Sequence, residues 1–187
     1  MRFLIRISNE KGYLPSQVKA LTEELRQSIS GHDMKVGGLR VSTIAIEFDL
    51  FTDNEIADMM ELIASSYGSL LTTKRLDLEA DTGNIDDIVS TAKDYFNEER
   101  FWECHEILES IWKKSEGIER TLLQGVILVA AAFVHLQRDE PKICLSMLYR
   151  ALPRLTWKDQ YYSLDVKRCN GSVKKIIDSQ NPILFKL

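Results

Sequence analysis

A histidine, three glutamates and two tryptophans fall within residues 101–112, which read Phe-Trp-Glu-Cys-His-Glu-Ile-Leu-Glu-Ser-Ile-Trp. At about 100° per residue, a helix over this stretch places His105 on one stripe with Phe101, Leu108 and Trp112. The three apolar residues of that stripe belong in a core. The histidine is therefore predicted to lie at the edge of a buried seam.

Glu109 follows His105 by four positions, so the two side chains are predicted to be neighbours on the helix surface. A carboxylate in that place can fix the tautomer of an imidazole and raise its basicity. Glu103 and Glu106 are predicted to point further toward the opposite side of the helix. His105 and Glu109 are therefore the candidates both for a catalytic pair and for metal ligands.

A second helical run, residues 119–138, is apolar almost all round, which indicates a helix buried on several sides or lying in a subunit interface. Gln124 and His135 share one narrow stripe of this run, and buried polar groups need partners. The turn between the two helices is short, so they are predicted to pack as an antiparallel hairpin. In that register Gln124 comes near His105, and His135 comes opposite residues 97–101.

The two runs carry a pattern of Phe101, Glu103, His105-Glu106, Leu108-Glu109, Trp112, Leu123-Gln124-Gly125, Ala130-Ala131 and His135. This pattern resembles domain-of-unknown-function family 309, a small all-helical domain of archaea and bacteria, over roughly residues 88–155. The resemblance implies a helical fold with a polar constellation in a helical hairpin. It implies no established activity, cofactor or substrate. On matching positions, the ligand-binding candidates are Glu103, His105, Glu106, Glu109, Trp112, Gln124 and His135.

The run 105–109, His-Glu-Ile-Leu-Glu, differs by one residue from the zinc-protease pattern His-Glu-x-x-His. With Glu109 in place of the second histidine, the run supplies one imidazole and one carboxylate. That set suits a metal only if His135 or Gln124 comes close, and the hairpin register places His135 about two turns from His105. A di-metal centre would require Glu-x-x-His from two helices. The sequence therefore specifies no cofactor.

Residues 1–80 have the alternation of strands and helices of a ferredoxin-like domain. Strand-like runs are predicted at 3–7, 36–41, 44–50 and 70–78, and helices at 15–29 and 55–66, with Asp53 as the N-cap of the second helix. Ile44, Ile46, Phe48 and Leu50 are predicted to share the inward face of the third strand. The order βαββαβ is typical of ferredoxin-like folds, which support many unrelated functions.

An all-helical bundle is predicted over residues 84–155, after a linker at 79–83, which makes the fold class α+β. Its first helix begins near Asn84, with Ile85 among its inward residues, and its last follows Asp139, with Ile143 inward. Residues 156–187 form a basic, aromatic tail with six Lys or Arg and three Asp or Glu. The aromatic residues of the tail are Trp157, Tyr161, Tyr162 and Phe185. This tail is predicted to pack on the body or on a partner subunit.

Composition indicates a folded cytoplasmic protein. The chain has 187 residues, a hydrophobic content of 44% and a formal net charge of −4. Its longest uninterrupted apolar run, residues 126–134, is too short to span a bilayer, and no signal-peptide pattern opens the chain. The three cysteines are widely spaced, which favours reduced thiols in a cytosol.

Nucleic-acid binding finds little support in the sequence. Arg2, Arg6 and Arg40 would form a small basic patch on the sheet. The central strands lack the basic-glycine-aromatic signature of RNA-recognition sheets, and a net charge of −4 gives no electrostatic support.

The sequence thus predicts a binding or assembly module that forms a homo-oligomer, a dimer being favoured. Part of the 119–138 helix or of the tail would lie at the interface. Two alternatives stay open: a metal-dependent or histidine-based hydrolase using the same cluster, and a weak RNA-binding protein. Whether the protein is an enzyme, and whether it takes a small-molecule ligand, also stays open.

Overall fold

The computed structural model describes residues 1–76, 83–156 and 158–187. The predicted linker up to residue 82, the end of the last predicted strand at 77–78, and Trp157 lie outside the described residues. Contacts divide the chain into two compact units, Met1–Ala80 with Gln137–Asp139 and Asp81–Leu136 with Glu140–Leu187. The first is called the N-terminal unit below, and the second the helical unit.

The N-terminal unit is a four-stranded antiparallel sheet with two helices. Its elements are β1 (Arg2–Ser8), a 3-10 turn (Pro15–Gln17), α1 (Val18–Ser28), β2 (Met34–Val41), β3 (Ala45–Thr52), α2 (Ala57–Tyr67) and β4 (Leu70–Arg75). The strand order is β2-β3-β1-β4, and every neighbouring pair is antiparallel. The predicted ferredoxin-like order is confirmed.

One face of the sheet forms the core of this unit, because side chains along a strand alternate between its two faces. Ile5 and Ile7 of β1 and Phe48 and Leu50 of β3 are buried together with residues of both helices, Leu25 among them. Burial of such side chains is the main stabilising contribution to the unit, at about 1.5–3 kcal/mol for each.

Two predictions at the ends of elements in this unit were wrong. Ile44 lies in the turn before β3, and 49% of its surface is exposed. Asp53 does not cap α2: the N-cap position is Ile56, and no side chain caps this helix. In both cases the residue stands at the edge of a periodic pattern, where the turn geometry decides its direction.

The opposite face of the sheet carries ion pairs. Arg6 Nε donates to Glu47 at 3.1 Å, and Arg40 Nε donates to the other oxygen of Glu47 at 3.4 Å. Arg2 Nη2 donates to Asp49 at 2.9 Å. The three arginines predicted as a basic patch are therefore balanced by carboxylates of β3.

The helical unit begins with α3 (Ile85–Asn97), α4 (Phe101–Trp112), α5 (Gly117–Leu136) and α6 (Pro141–Ala151), followed by a 3-10 turn (Leu152–Arg154). Two short strands, β5 (Gln160–Tyr161) and β6 (Leu164–Asp165), and a last helix, α7 (Val166–Ser179), complete it. Asn84 caps α3, with its side-chain oxygen accepting a hydrogen bond from the Asp87 backbone at 3.0 Å. Ile85 and Ile143, predicted to point inward, are 39% and 44% exposed.

Helix α5 is the centre of the helical unit. It packs against α4, α6 and the 3-10 turn, and it is buried along almost its whole length from Leu122 to Val134. Among the described residues it is the one helix long and apolar enough to cross a membrane by length and composition, and 61% of its most apolar window is buried inside the structure. Most of its apolar surface is thus buried within a single chain.

The segment 158–187 contributes to the same core. Phe185 contacts Phe96 and Phe133, with ring centroids 5.5 and 5.4 Å apart. Tyr161 donates a hydrogen bond to Glu119 at 2.6 Å. The Leu187 backbone donates to the side-chain oxygen of Asn97 at 2.9 Å. Burial and the neighbouring Glu119 carboxylate raise the pKa of the Tyr161 phenol.

The three cysteines are predicted to be inert in the folded protein. Cys104, Cys144 and Cys169 are free and buried, and burial raises the pKa of the last two from 9.0 to about 12. Native protein at pH 8 should react with a thiol reagent much more slowly than protein in denaturant, which a spectrophotometric assay measures. Because burial disfavours the thiolate, the unfolded chain ionises above pH 9 while the folded chain keeps these thiols protonated. The free energy of unfolding is therefore unaffected by them below pH 9 and falls as the pH rises toward 12. Rapid labelling of native protein at pH 8 would contradict the prediction that the three thiols are inert.

Candidate functional site

The predicted site residues on α4 are divided between its buried and exposed sides. Phe101, Cys104, Leu108 and Ile111 face the core of the helical unit. Trp102, His105 and Glu109 are half-buried, and Glu106 is exposed. Below, Trp102, His105, Glu106 and Glu109 together are called the α4 patch.

Glu103 is buried, with 5% of its surface exposed, which corrects the prediction that it points away from the core. Arg100, just before α4, binds it in a two-pronged manner: Nε lies 2.7 Å from one carboxylate oxygen and Nη2 lies 2.9 Å from the other. The guanidinium also stacks on Tyr95, 4.1 Å from the ring centroid. Burial alone would lower the pKa of Arg100, but the hydrogen bonds and charge of Glu103 raise it instead. Glu103 therefore fastens the start of α4.

His105 is held between two carboxylates. Its Nδ1 lies 3.2 Å from Glu106, and its Nε2 lies 3.6 Å from Glu109. Glu109 also forms an ion pair with Lys113 at 3.2 Å.

The two tryptophans have different surroundings. The Trp102 ring stacks on the His105 ring, with centroids 5.7 Å apart and planes inclined by 16°. Trp112 instead lies under the Arg120 guanidinium, 4.3 Å from the ring centroid. The buried Nε1 of Trp112 has no hydrogen-bond partner within the described part of the chain. Trp102 thus belongs to the same surface as His105.

Gln124 is bound to a residue that the hairpin register did not suggest. Its side-chain oxygen accepts a hydrogen bond from Arg154 Nε at 3.0 Å. The adjacent Gly125 makes this approach possible, because a Cβ there would lie 2.9 Å from the Cβ of Arg154 and 3.0 Å from Leu155. The 3-10 turn therefore packs on α5 at Gln124 and Gly125.

His135 closes the turn between α5 and α6. Its Nδ1 lies 2.5 Å from a carboxylate oxygen of Glu140, and the Glu140 backbone donates to the His135 carbonyl at 2.9 Å. Asp139, between them, has a positive φ of 62°. This geometry gives His135 a role in the turn.

The structure thus brings three of the seven predicted residues together, His105 with Glu106 and Glu109. It places the other four, Glu103, Trp112, Gln124 and His135, in separate interactions. Arg100, Arg120, Arg154 and Glu140, which sequence reasoning missed, supply the partners. Only Arg100, three residues before Glu103, offered a local signal. Across the described residues no three His, Cys, Asp or Glu side chains are grouped so that they could hold a metal ion.

Replacing Glu103 with Gln should destabilise the helical unit by about 2–3 kcal/mol, because it removes the buried carboxylate and leaves Arg100 with only its more exposed ion pair to Glu98. Glu109→Gln is the matched control, since Glu109 is 31% exposed and such pairs contribute about 1 kcal/mol or less. Urea unfolding measures both variants. Equal effects of the two substitutions would contradict the role assigned to Glu103.

Gly125→Ala should destabilise the protein by about 1–3 kcal/mol, because the added methyl group overlaps the 3-10 turn. Gly171→Ala is the control, since a Cβ at Gly171 would meet no heavy atom within 4 Å. Thermal unfolding of the two variants, followed by circular dichroism, tests the close approach. A Gly125 variant as stable as the wild type would show that the turn can move away at no cost.

Comparison with known proteins gives a family match within the helical unit. No curated protein matches the chain, and no solved structure matches it. The family model described as a domain of unknown function (DUF309) matches residues 89–147. This range includes all of α4 and α5, and it confirms the resemblance predicted from the sequence. The helical unit is therefore similar, over residues 89–147, to the domain that the DUF309 model describes.

Proposed function

We propose that the protein is a binding module that recognises a positively charged segment of a partner protein through the α4 patch. The observation that carries this proposal is the stacking of Trp102 on His105, with Glu106 and Glu109 on either side of the imidazole. The patch lies on a helix inside the range matched by the DUF309 model. It combines an aromatic surface with negative charge.

These two features favour a cationic ligand. A lysine or arginine side chain is attracted both to the face of a tryptophan ring and to carboxylates. Half of the Glu106 side chain and 31% of the Glu109 side chain are exposed, so an incoming cation can approach both, competing with Lys113 at Glu109. The same negative charge repels a phosphate backbone, which disfavours the RNA-binding alternative.

The hydrolase alternative has less support. A general base needs an unoccupied nitrogen lone pair that faces a substrate, whereas both His105 nitrogens face carboxylates. A thiol nucleophile needs a lowered pKa, whereas burial raises the pKa of the Cys144 and Cys169 thiols. The residues of the patch are arranged for charge pairing.

We also place the proposed activity in the cytoplasm of a bacterium or archaeon. Three free, buried thiols are compatible with a reducing compartment. The archaeal or bacterial source is what the family resemblance implies.

Titrating the full chain with a short arginine-rich peptide tests the proposed function. We expect the peptide to bind at low salt, and we expect the affinity to fall as added salt screens the charges. Calorimetry and tryptophan fluorescence measure the binding. The double substitution Glu106→Gln with Glu109→Gln should reduce the affinity by up to about thirtyfold, because each of the two exposed pairs contributes up to about 1 kcal/mol.

Two controls sharpen the titration. Asp178→Asn removes an exposed acidic residue of α7 and should leave the affinity unchanged. Trp102→Phe should remove most of the fluorescence response and weaken binding. The proposal is wrong if the arginine-rich peptide does not bind at low salt, or if the double variant binds as tightly as the wild type.

A further inference from the structure

The helix-side face of the N-terminal sheet is covered unevenly. Thr73 of β4 lies opposite Ile5 of β1, and Leu70 lies opposite the next inward residue of β1, Ile7. Cross-strand neighbours point to the same face of a sheet. Ile5 and Ile7 are buried, whereas 43% of the Leu70 surface is exposed and Thr73 is exposed as well. The same face is therefore covered at β1 and open at β4.

An apolar groove occupies this open area. Its volume is about 640 Å³, within the range of roughly 300–1,000 Å³ that small-molecule sites have. Its apolar walls include Phe3 of β1, Met60 of α2 and Leu70 of β4. Ala57 and Ala64 of α2 also line it, and their small side chains leave room between the helix and the strand.

A further β-strand is a poor occupant for this area. Arg6 of β1 pairs with Thr72, and the next residue of β1 pairs with Leu70. Leu71 is therefore an extra residue, a bulge in the edge strand itself. Bulges at sheet edges disturb the ladder and discourage pairing with a further strand. Recognition by side chains of the groove is thus favoured over recognition by the β4 backbone.

Two carboxylates, Glu55 and Glu61, line the groove together with its apolar residues. Among the described residues, neither side chain has a hydrogen-bond or ion-pair partner. The described lining residues contribute one cationic group, the N-terminal amine of Met1, and this amine pairs with Asp53 at 2.9 Å. The groove therefore carries an excess of negative charge.

The two carboxylates differ in their relation to α2. Glu55 precedes the helix, which begins at Ala57, and a negative charge in that place is stabilised by the helix dipole. Glu61 lies more than one turn inside the helix, where this effect has fallen off. On the helix surface it is a neighbour of Ala57 and Ala64. A cation in the groove is therefore favoured at Glu61 and disfavoured at the start of α2.

We propose that this groove is a second binding site, and that its ligand is an amphiphilic amine, a cationic amino group joined to an apolar chain or ring. The amino group pairs with the Glu61 carboxylate, and the apolar part lies on Phe3, Met60 and Leu70. Burial of apolar surface supplies most of the affinity. The negative charge selects the amine over a neutral or anionic ligand of the same shape.

Titrating the isotopically labelled full chain with octylamine, below the concentration at which octylamine forms micelles, tests this inference by two-dimensional NMR. The amide signals of α2 and β4 should move. Octanol and octanoate are the matched probes, because they carry a neutral and an anionic head on the same chain. Octylamine should bind about fivefold more tightly than octanol, and octanoate should bind more weakly than octanol. Shortening octylamine to hexylamine should weaken binding by up to about fifteenfold.

Two pairs of variants separate the charge from the apolar surface. Glu61→Gln should remove the preference for octylamine over octanol, whereas Glu24→Gln, an exposed position of α1 outside the groove lining, should preserve it. Ala64→Leu places a larger side chain in the groove and should weaken both ligands by about tenfold or more. Ala20→Leu, at an exposed position of α1, should weaken neither. Circular dichroism should show that the four variants are folded.

The inference is overturned if octylamine moves no signal of α2 or β4, or if octanol or octanoate binds as tightly as octylamine. Equal effects of Glu61→Gln and Glu24→Gln would also overturn it. Light scattering covers the remaining outcome. A mass twice the monomer mass of 21.5 kDa, together with α2 signals that do not respond to octylamine, would show that a second copy covers the groove and would overturn the inference.

Discussion

The burial of α5 is the constraint on which the helical unit depends. A helix that is apolar almost all round must be covered on several sides, and α4, α6 and the 3-10 turn after α6 supply that cover. This cover is very close at Gly125, where a Cβ on the helix would lie 2.9 Å from Arg154 of the 3-10 turn. The orientation of α4 follows from this packing, because its apolar stripe must face α5.

The direction of α4 in turn decides which of its polar residues meet solvent. Trp102, His105, Glu106 and Glu109 stay on the outer side, and they form the surface on which the proposed function depends. Glu103 is buried instead, because the guanidinium of the nearby Arg100 pairs with its carboxylate. A buried charge needs such a partner. One helix therefore holds a structural carboxylate on one side and carboxylates available to a ligand on the other.

Pairing of polar groups also explains the rest of the predicted constellation. Gln124 and His135 each find a partner close to α6, in Arg154 and Glu140. A buried or half-buried polar group in an apolar helix needs such a partner, and here the partners secure the two ends of α6. These residues share a helix stripe in the sequence but serve different contacts. The arginines of the sheet in the N-terminal unit follow the same rule, because they form ion pairs with Glu47 and Asp49.

The sequence by itself determined the periodic elements, since a period of two or 3.6 in apolar residues reflects the local geometry of the backbone. It predicted the βαββαβ order, the bounds of α4 and an α5 that is either buried on several sides or placed at a subunit interface. The tertiary structure decided everything that depends on residues distant in the chain. The direction of Ile44, the partner of Gln124 and the packing of Phe185 on Phe96 and Phe133 are examples. Periodicity indicates which face of its own element a side chain occupies. The partner on that face depends on packing between elements, and no local sequence pattern contains that information.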